Sequence, residues 1–208
     1  GAGLFDFLRD GLTLEVKGKQ EVEFVQRFQQ FTPPVMAKGV EDTAFYCYNR
    51  LVAMSEVGGN PASNGLSVGE FHRYCITMQA THPSTMLTLA THDTKRSDDV
   101  RARLAVLSEM PAEFGAALNR WSRMNNDLRS ELFAGGGGGD LPDRNTEYLL
   151  YQTLIGAWPI SEERIQTYML KAVREAKQKT SWTTNNTEFE DALRRFISAV
   201  LVHALFIE

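Results

Sequence analysis

The chain has 208 residues, of which 43% are hydrophobic and 23% are charged, and its formal net charge is −4 at pH 7. This length allows a substantial core, and the composition is ordinary for a soluble globular protein. Basic residues are interleaved with acidic ones, which argues against a nucleic-acid surface, and no apolar run approaches the roughly 18 residues of a membrane-spanning helix. We therefore expect neither nucleic acid nor a membrane as a partner.

The first predicted elements are two helices and a short strand. Residues 4–14 read as the tail of an amphipathic helix that begins abruptly, which suggests a segment cut from something longer. Apolar residues recur at near-helical spacing over 21–31, and the proline pair at 33–34 should end that helix. The apolar run 35–37 is then predicted to be a buried strand. It is followed by a polar and aromatic stretch, 39–50, that can turn into a helix.

The middle of the chain predicts a βα unit. Ser67 and Glu70 form a capping box that opens a helix ending near Ala80. The apolar, β-prone run 86–90 predicts a second strand, and the polar segment 91–97 follows it at the start of another helix. Because the chemistry of α/β enzymes lies at the C-terminal ends of strands, this polar segment is the first place to look for function.

The second half of the chain is predicted to be helical. A glycine tract, 135–139, lacks the Gly-Lys-Ser/Thr ending of a phosphate-binding loop, so we interpret 135–140 as a flexible linker. Pro111 suits the first position of a helix, and 187–190 forms a second capping box. The predicted helices run over about 100–109, 111–132, 146–158 and 161–177, and from 187 onward.

His92 and Asp93 are the candidate reactive side chains of the polar segment. An imidazole and a carboxylate that converge on a pocket can bind sugar hydroxyls, transfer protons or hold a metal. From the residues alone a structural role stays open, since Asp93 could simply cap the next turn. The remaining histidines lack the companions of a metal-ligand set, so we expect no metal and no cofactor. They are His72, His82 and His203.

The only two cysteines, Cys47 and Cys75, form neither a disulfide framework nor a metal-ligand spacing. We interpret them as buried free thiols in a reducing cytosol. The start of the chain also has no signal-peptide shape. The sequence therefore predicts a cytoplasmic protein.

Four longer segments carry a more specific signal. Residues 28–50, 91–103, 145–154 and 171–177 resemble, in the same order, the maltooligosyltrehalose synthase family of the α-amylase superfamily. The resemblance implies a retaining enzyme that turns the terminal α-1,4 bond at the reducing end of a maltooligosaccharide into the α,α-1,1 bond of trehalose. The residue pattern predicts a fold class that is mainly α with two short β-strands, and the resemblance implies that this is a fragment of a (β/α)8 TIM barrel with a long helical insertion.

On this interpretation, residues 1–104 form part of the barrel, with strands six and seven, and residues 105–208 form a helical insertion between strands seven and eight. A retaining enzyme holds a nucleophile and an acid/base carboxylate about 5–5.5 Å apart. In this family both would lie on earlier strands, before this chain begins. We therefore expect the remainder of the barrel to be needed for a complete site, and the isolated chain to be inactive.

The resemblance also implies roles for individual residues. Asp93 would be the third catalytic carboxylate, which stabilises the oxocarbenium-like transition state and binds sugar hydroxyls. His92 would hydrogen-bond the same glucose ring, and Lys95 would line the pocket just beyond. Contacts near the acceptor sugar are assigned to Lys38, Glu41, Asp42 and Tyr46.

Two alternatives remain at this point. One is a non-catalytic helical carbohydrate-binding or interaction module, in which Asp93 would cap a helix and point to solvent. The other is a different hydrolase or transglycosidase of the α-amylase superfamily, against which the segment 38–50 favours the synthase. In an enzyme, His92 and Asp93 should lie side by side at a strand end and face a concave surface.

Overall fold

In the computed structural model, which describes residues 2–63, 65–133 and 142–203, the chain folds into a succession of helices. A π-helix, Val40–Ala44, and a 3₁₀-helix, Val52–Met54, lie between the longer elements. The linker predicted at 135–140 lies outside the described residues. The α-helices are α1 (Ala2–Leu12), α2 (Lys19–Gly39), α3 (Phe45–Cys47), α4 (Val68–Thr81), α5 (Asp98–Val106), α6 (Pro111–Phe133), α7 (Arg144–Ala157), α8 (Glu162–Ala176) and α9 (Thr187–Val202).

The prediction of two short strands is wrong, because the part of the chain that the structure describes contains no β-strand. The first predicted strand, 35–37, belongs to α2, which continues through Pro33 and Pro34 to Gly39. A proline cannot donate to the carbonyl four residues earlier. The carbonyls that lose a donor are those of Gln29 and Gln30, and both residues are exposed, so water can satisfy them and the helix continues.

The second predicted strand, 86–90, has no regular secondary structure. Met86 and Leu87 are 94% and 88% exposed, and no described backbone pairs with this segment. A short apolar run becomes a strand only when a neighbouring strand satisfies its backbone groups, and local sequence cannot supply that neighbour. No strand of a (β/α)8 barrel therefore lies within residues 2–63, 65–133 and 142–203.

The core is built around α7, which packs against α5 and α8, while α9 packs against α6 and α8. Gly156 lets α5 approach α7 closely, since a Cβ there would lie 2.9 Å from Val100 Cγ1. Burial of the apolar stripes of these helices supplies the main stabilisation. The largest fully buried apolar side chains are Phe189, Phe196, Leu104, Leu150, Ile165, Met169, Leu193, Ile197, Val25 and Val52.

Three side chains of α7 hold the segment 47–52 through its backbone. Asn145 donates to a carbonyl of this segment at 2.9 Å, and the Tyr148 hydroxyl donates to another at 2.8 Å. Gln152 is fully buried; it donates to a third carbonyl at 2.7 Å and accepts a backbone N–H at 2.9 Å. Because these residues are three and four positions apart, they share one face of the helix. That face fixes a loop that directly follows the predicted site residues 38–46.

Helices α1, α2 and α4 are far less buried than α7, α8 and α9. Within α2 only Val25 is buried, and α4 buries no residue at all. An amphipathic helix normally places its apolar side against other protein, so these faces are available for further packing. Their exposed large apolar residues are Leu4, Phe5, Phe7, Leu8, Phe24, Phe28, Phe31, Val35, Met36, Val68, Phe71, Tyr74 and Ile76.

The helix starts test the capping predictions. Ser67 and Glu70 form both bonds of the capping box, which confirms that prediction. Helix α9 differs, because its N-cap is Asn186, whose side chain accepts the N–H of Phe189 at 3.1 Å. The capping box predicted at 187–190 is therefore wrong. Glu190 instead pairs with Arg174, whose Nη2 lies 2.5 Å from Glu190 Oε2.

Two further sequence predictions concern thiols and membranes. Both cysteines are free, but neither is fully buried: Cys47 is half-buried and Cys75 is exposed. Burial raises the pKa of the Cys47 thiol. Among the described helices, none has the length and apolarity needed to cross a bilayer.

Candidate functional site

The π-helix Val40–Ala44 contains Glu41 and Asp42, and two further predicted site residues flank it, Lys38 in α2 and Tyr46 in α3. Lys38 and Asp42 pair across one turn, with Nζ 2.5 Å from Oδ2. Glu41 faces a different way and accepts the backbone N–H of Gly58 at 3.1 Å. Tyr46 is buried below this turn, and burial is the main reason that its pKa is raised. A single π-helical turn often marks a functional site, because it re-aims side chains that a regular helix would spread apart.

Asp42 also forms an ion pair with Lys95, which lies in the polar segment 91–97. The Lys95 Nζ lies 2.8 Å from Asp42 Oδ1, and the Lys95 side chain is only 11% exposed. The two ammonium groups hold the pKa of Asp42 below its usual range, with the hydrogen bond from Lys38 the largest cause. In turn, Asp42 raises the pKa of Lys38. Asp42 and Lys95 are 53 positions apart in sequence, so one ionised carboxylate joins two predicted site segments.

Glu56 holds the segment 91–97 in place. This buried carboxylate accepts the backbone N–H of Lys95 at 2.6 Å, that of Arg96 at 3.1 Å and that of Val57 at 2.9 Å. A carboxylate that binds several amides fixes their positions relative to one another, since each bond is charge-assisted. Glu56 thus fixes the position of the Lys95 backbone, from which the side chain extends to Asp42.

Arg96, in the segment 91–97, binds in turn the backbone of the segment that precedes Glu56. Its guanidinium donates to two backbone carbonyls of the segment 52–55, at 3.0 and 3.2 Å, and to the Tyr168 hydroxyl at 3.0 Å. The fixed fork of an arginine suits several carbonyls at once. Glu56 and Arg96 therefore hold the segment 52–57 against the segment 91–97. Sequence reasoning did not assign either residue a role, although Arg96 lies inside the resembling segment 91–103.

His92 and Asp93 lie in an exposed turn at the outer edge of this cluster. The Thr94 hydroxyl closes the turn by donating to the carbonyl of Thr91 at 2.8 Å, and the Asp93 N–H donates to the Thr91 hydroxyl at 3.3 Å. Asp93 caps no helix, since Ser97 is the N-cap of α5. The expected strand end is absent, but Asp93 is near enough to Lys38 to contribute to its raised pKa.

The arrangement can bind a polyhydroxylated ligand. Lys38 and Lys95 each contact Asp42, and Asp93 lies within electrostatic range of Lys38. Carboxylates accept and ammonium groups donate hydrogen bonds, which is the combination that sugar hydroxyls require. Across the described ranges, no three side chains of metal-binding type converge to hold an ion.

Comparison with known proteins finds relatives of one kind among both the curated sequences and the solved structures. No family model matches the chain. Two curated relatives, from two strains of Mycobacterium tuberculosis, carry the name maltooligosyl trehalose synthase, and each is 40% identical over 182 residues, 84% of this chain. The solved maltooligosyltrehalose synthase of Arthrobacter ramosus is 41% identical over 87% of this chain, with a TM-score of 0.71. The chain is homologous to one segment of the maltooligosyltrehalose synthases.

The homologous segment is a small part of each synthase. The chain spans 22% of the length of the curated relatives it matches and 22% of the Arthrobacter ramosus chain. A hypothetical maltooligosyl trehalose synthase of Sulfolobus tokodaii is 31% identical over 96% of this chain and 28% of its own, with a TM-score of 0.77. The exposed apolar faces of α1, α2 and α4 are what a segment of a larger synthase would present.

Replacing Asp42 with asparagine tests the pairing of Asp42 with Lys38 and Lys95. The folded-state pKa of Asp42 lies below its ordinary value of 3.8, so its contribution to stability is complete above that value and is lost as the pH falls through the lower one. We expect Asp42→Asn to lower the free energy of unfolding by about 1–2 kcal/mol at pH 6, and the difference from the parent chain to shrink below pH 4. Urea unfolding between pH 2.5 and 6 measures both effects.

The control is Asp127→Asn, at an exposed position on α6. It should change stability by less than about 0.5 kcal/mol at either pH. If Asp42→Asn behaved like this control, the Lys38–Asp42–Lys95 cluster would not contribute to folding.

Proposed function

We propose that this chain is part of an intramolecular transglucosidase that converts the reducing-end α-1,4 bond of maltooligosaccharides into an α,α-1,1 bond, giving maltooligosyltrehalose. The observation that carries the proposal is the meeting of segments 38–46 and 91–97 at Asp42. Both segments resemble the synthase family, and the relatives that align with the chain bear the synthase name. The chain would therefore serve trehalose biosynthesis as an isomerase of the glucosylmutase type.

In this reaction the bond between the anomeric carbon of the donor unit and the O4 of the terminal glucose breaks. The released glucose stays bound and attacks through its own anomeric hydroxyl, so no water is consumed. Positive charge develops at the donor carbon, and a fixed carboxylate stabilises it in the transition state. We assign this role to Asp93. His92 would hydrogen-bond the same ring and help to orient it.

The cluster around Asp42 would bind the acceptor glucose. That sugar must be released from its O4 bond and turned so that its anomeric hydroxyl faces the donor, and several hydrogen bonds are needed to direct the turn. Lys38 and Lys95 offer donors and Asp42 offers acceptors, while Glu41 and Tyr46 hold the π-helical turn. The contacts of Glu56 and Arg96 would keep Lys95 at a constant distance from Asp93.

The proposal extends to the surroundings of the site. The nucleophile and the acid/base carboxylate would come from chain outside these 208 residues. The division near residue 104, between a part that bears the site and a helical part, stays a prediction. A cytoplasmic location is proposed as well, supported by the two free cysteines.

The test is conversion of maltopentaose. The complete natural polypeptide that contains this sequence should remove reducing ends without releasing glucose, and product analysis by NMR should find an α,α-1,1 linkage. The 208-residue chain alone should show no turnover, because two of the three carboxylates are missing. Turnover by the isolated chain would overturn the assignment of the missing groups. Binding without conversion by the complete polypeptide would favour the non-catalytic carbohydrate-binding alternative.

A further inference from the structure

Trp182 is an exposed aromatic residue whose ring is nevertheless fixed. The residue is 53% exposed, yet its indole N–H donates to Glu175 Oε1 at 3.0 Å. The Arg174 guanidinium carbon lies 4.9 Å from the ring centroid, so one face of the ring is covered by a planar cation. Two consecutive residues of the last turn of α8 thus orient the indole and leave most of its remaining surface open.

The end of α8 adjoins the candidate site. Lys177, just after the helix, donates to the Thr43 hydroxyl on the π-helix at 2.7 Å. Glu175, which holds Trp182, is near enough to Lys38 and Tyr46 to influence both electrostatically. The fixed indole therefore lies on the same side of the molecule as the Lys38–Asp42–Lys95 cluster, at its border.

We propose that Trp182 is a stacking platform for a glucosyl unit of an α-1,4-glucan, and that it extends the site along the bound substrate. A pyranose ring presents a face of C–H groups, and the face of an indole is both apolar and electron-rich, so the two surfaces match. Pre-orientation by Glu175 and Arg174 lowers the entropy lost on binding. This inference rests on the proposed function, because it takes the same class of substrate.

Glu175 has a second part in this arrangement. Only one of its carboxylate oxygens is engaged by the indole, and no hydrogen bond from the described residues reaches the other. That oxygen can accept a hydroxyl of the sugar that lies on the indole. An aromatic platform beside a carboxylate acceptor is a common way of fixing both the plane and the rotation of a ring.

The experiment compares leucine and phenylalanine at position 182 in the complete natural polypeptide. Leucine keeps an apolar side chain without a ring, whereas phenylalanine keeps an aromatic face. We expect Trp182→Leu to raise KM for maltoheptaose about tenfold, the effect of losing roughly 1.4 kcal/mol of binding, with kcat within about twofold. Trp182→Phe should raise KM less than threefold. An unchanged KM in Trp182→Leu would overturn the proposal.

Trp158 offers a matched control, since it is 43% exposed and precedes α8 at the opposite end of that helix. Trp158→Leu should leave KM unchanged, and an equal rise in both leucine variants would also overturn the proposal. Isothermal titration of maltoheptaose separates this inference from the proposed function. If the polypeptide binds the sugar without converting it, loss of binding in Trp182→Leu still supports the platform; if the parent does not bind, both proposals fail.

Discussion

Replacing Asp93 with asparagine should lower kcat/KM of the complete natural polypeptide on maltopentaose by about 10²–10³-fold, with almost no loss of stability. Asparagine has nearly the same shape but no charge, so it cannot stabilise an oxocarbenium-like transition state. In the structure the Asp93 carboxylate accepts no hydrogen bond from the described residues, and only its backbone N–H contributes to the turn. The free energy of unfolding should therefore change by less than about 0.5 kcal/mol.

The nearby acids of α5 supply the control for this substitution. Asp98 and Asp99 are exposed, lie in the first turn of that helix and have the same formal charge as Asp93. Asp99→Asn should retain the parent kcat/KM within about twofold, because the Asp99 charge is exposed on α5 and is screened by solvent and salt. If Asp93→Asn and Asp99→Asn reduced activity equally, Asp93 would act through the field of the segment rather than as a catalytic residue.

Local sequence predicted the helices well, and the reason is physical. The bonds of the Ser67–Glu70 capping box join residues three positions apart, and Pro111 begins α6 because its missing N–H has no helical partner at that position. The apolar stripes of α8 and α9 likewise follow from spacing within one element. Signals of this kind need no knowledge of the rest of the fold.

The predictions that failed, and the contacts that were missed, depend on residues far apart in sequence. The run 86–90 has the composition of a strand, but a strand needs a partner, and the described chain provides none. Glu56 was missed because the amides it binds are about 40 residues further along the chain, at Lys95 and Arg96. The pairing of Asp42 with Lys95 is equally non-local. Residue types near each other in sequence predict a candidate site, whereas the contacts within it depend on tertiary structure.

The segment 145–154 illustrates how a resemblance can reflect architecture rather than contact with substrate. Asn145 and Gln152 bind the backbone of residues 47–52, directly after the predicted acceptor residues. Glu147, on another face of α7, points into a buried ionic cluster. The α7 segment therefore connects the helical core to the site, and its stability determines how firmly residues 38–50 are held.

Glu147→Gln is expected to be the most destabilising single change proposed for this chain, at about 3–5 kcal/mol. The Glu147 side chain is 2% exposed and accepts from Arg129 at 2.6 Å and from Arg144 at 2.8 Å. It also accepts from the Tyr151 hydroxyl, whose pKa is raised mainly by burial, so the phenol remains a donor. Glutamine removes the charge and leaves the Arg129 guanidinium, 10% exposed, without a counter-ion.

Urea unfolding of the chain at pH 7 measures this loss, and a second substitution identifies its cause. The guanidinium of Arg129 lies 5.6 Å from the Phe196 ring centroid, so its site is already apolar on one side. Arg129→Met in the Glu147→Gln background should therefore recover at least about 1 kcal/mol, because the uncompensated charge is gone. A control at the exposed pair, Asp191→Asn, should cost less than about 0.5 kcal/mol. No recovery in the double variant would mean that packing around Glu147, and not the unpaired arginine, sets the stability of α7.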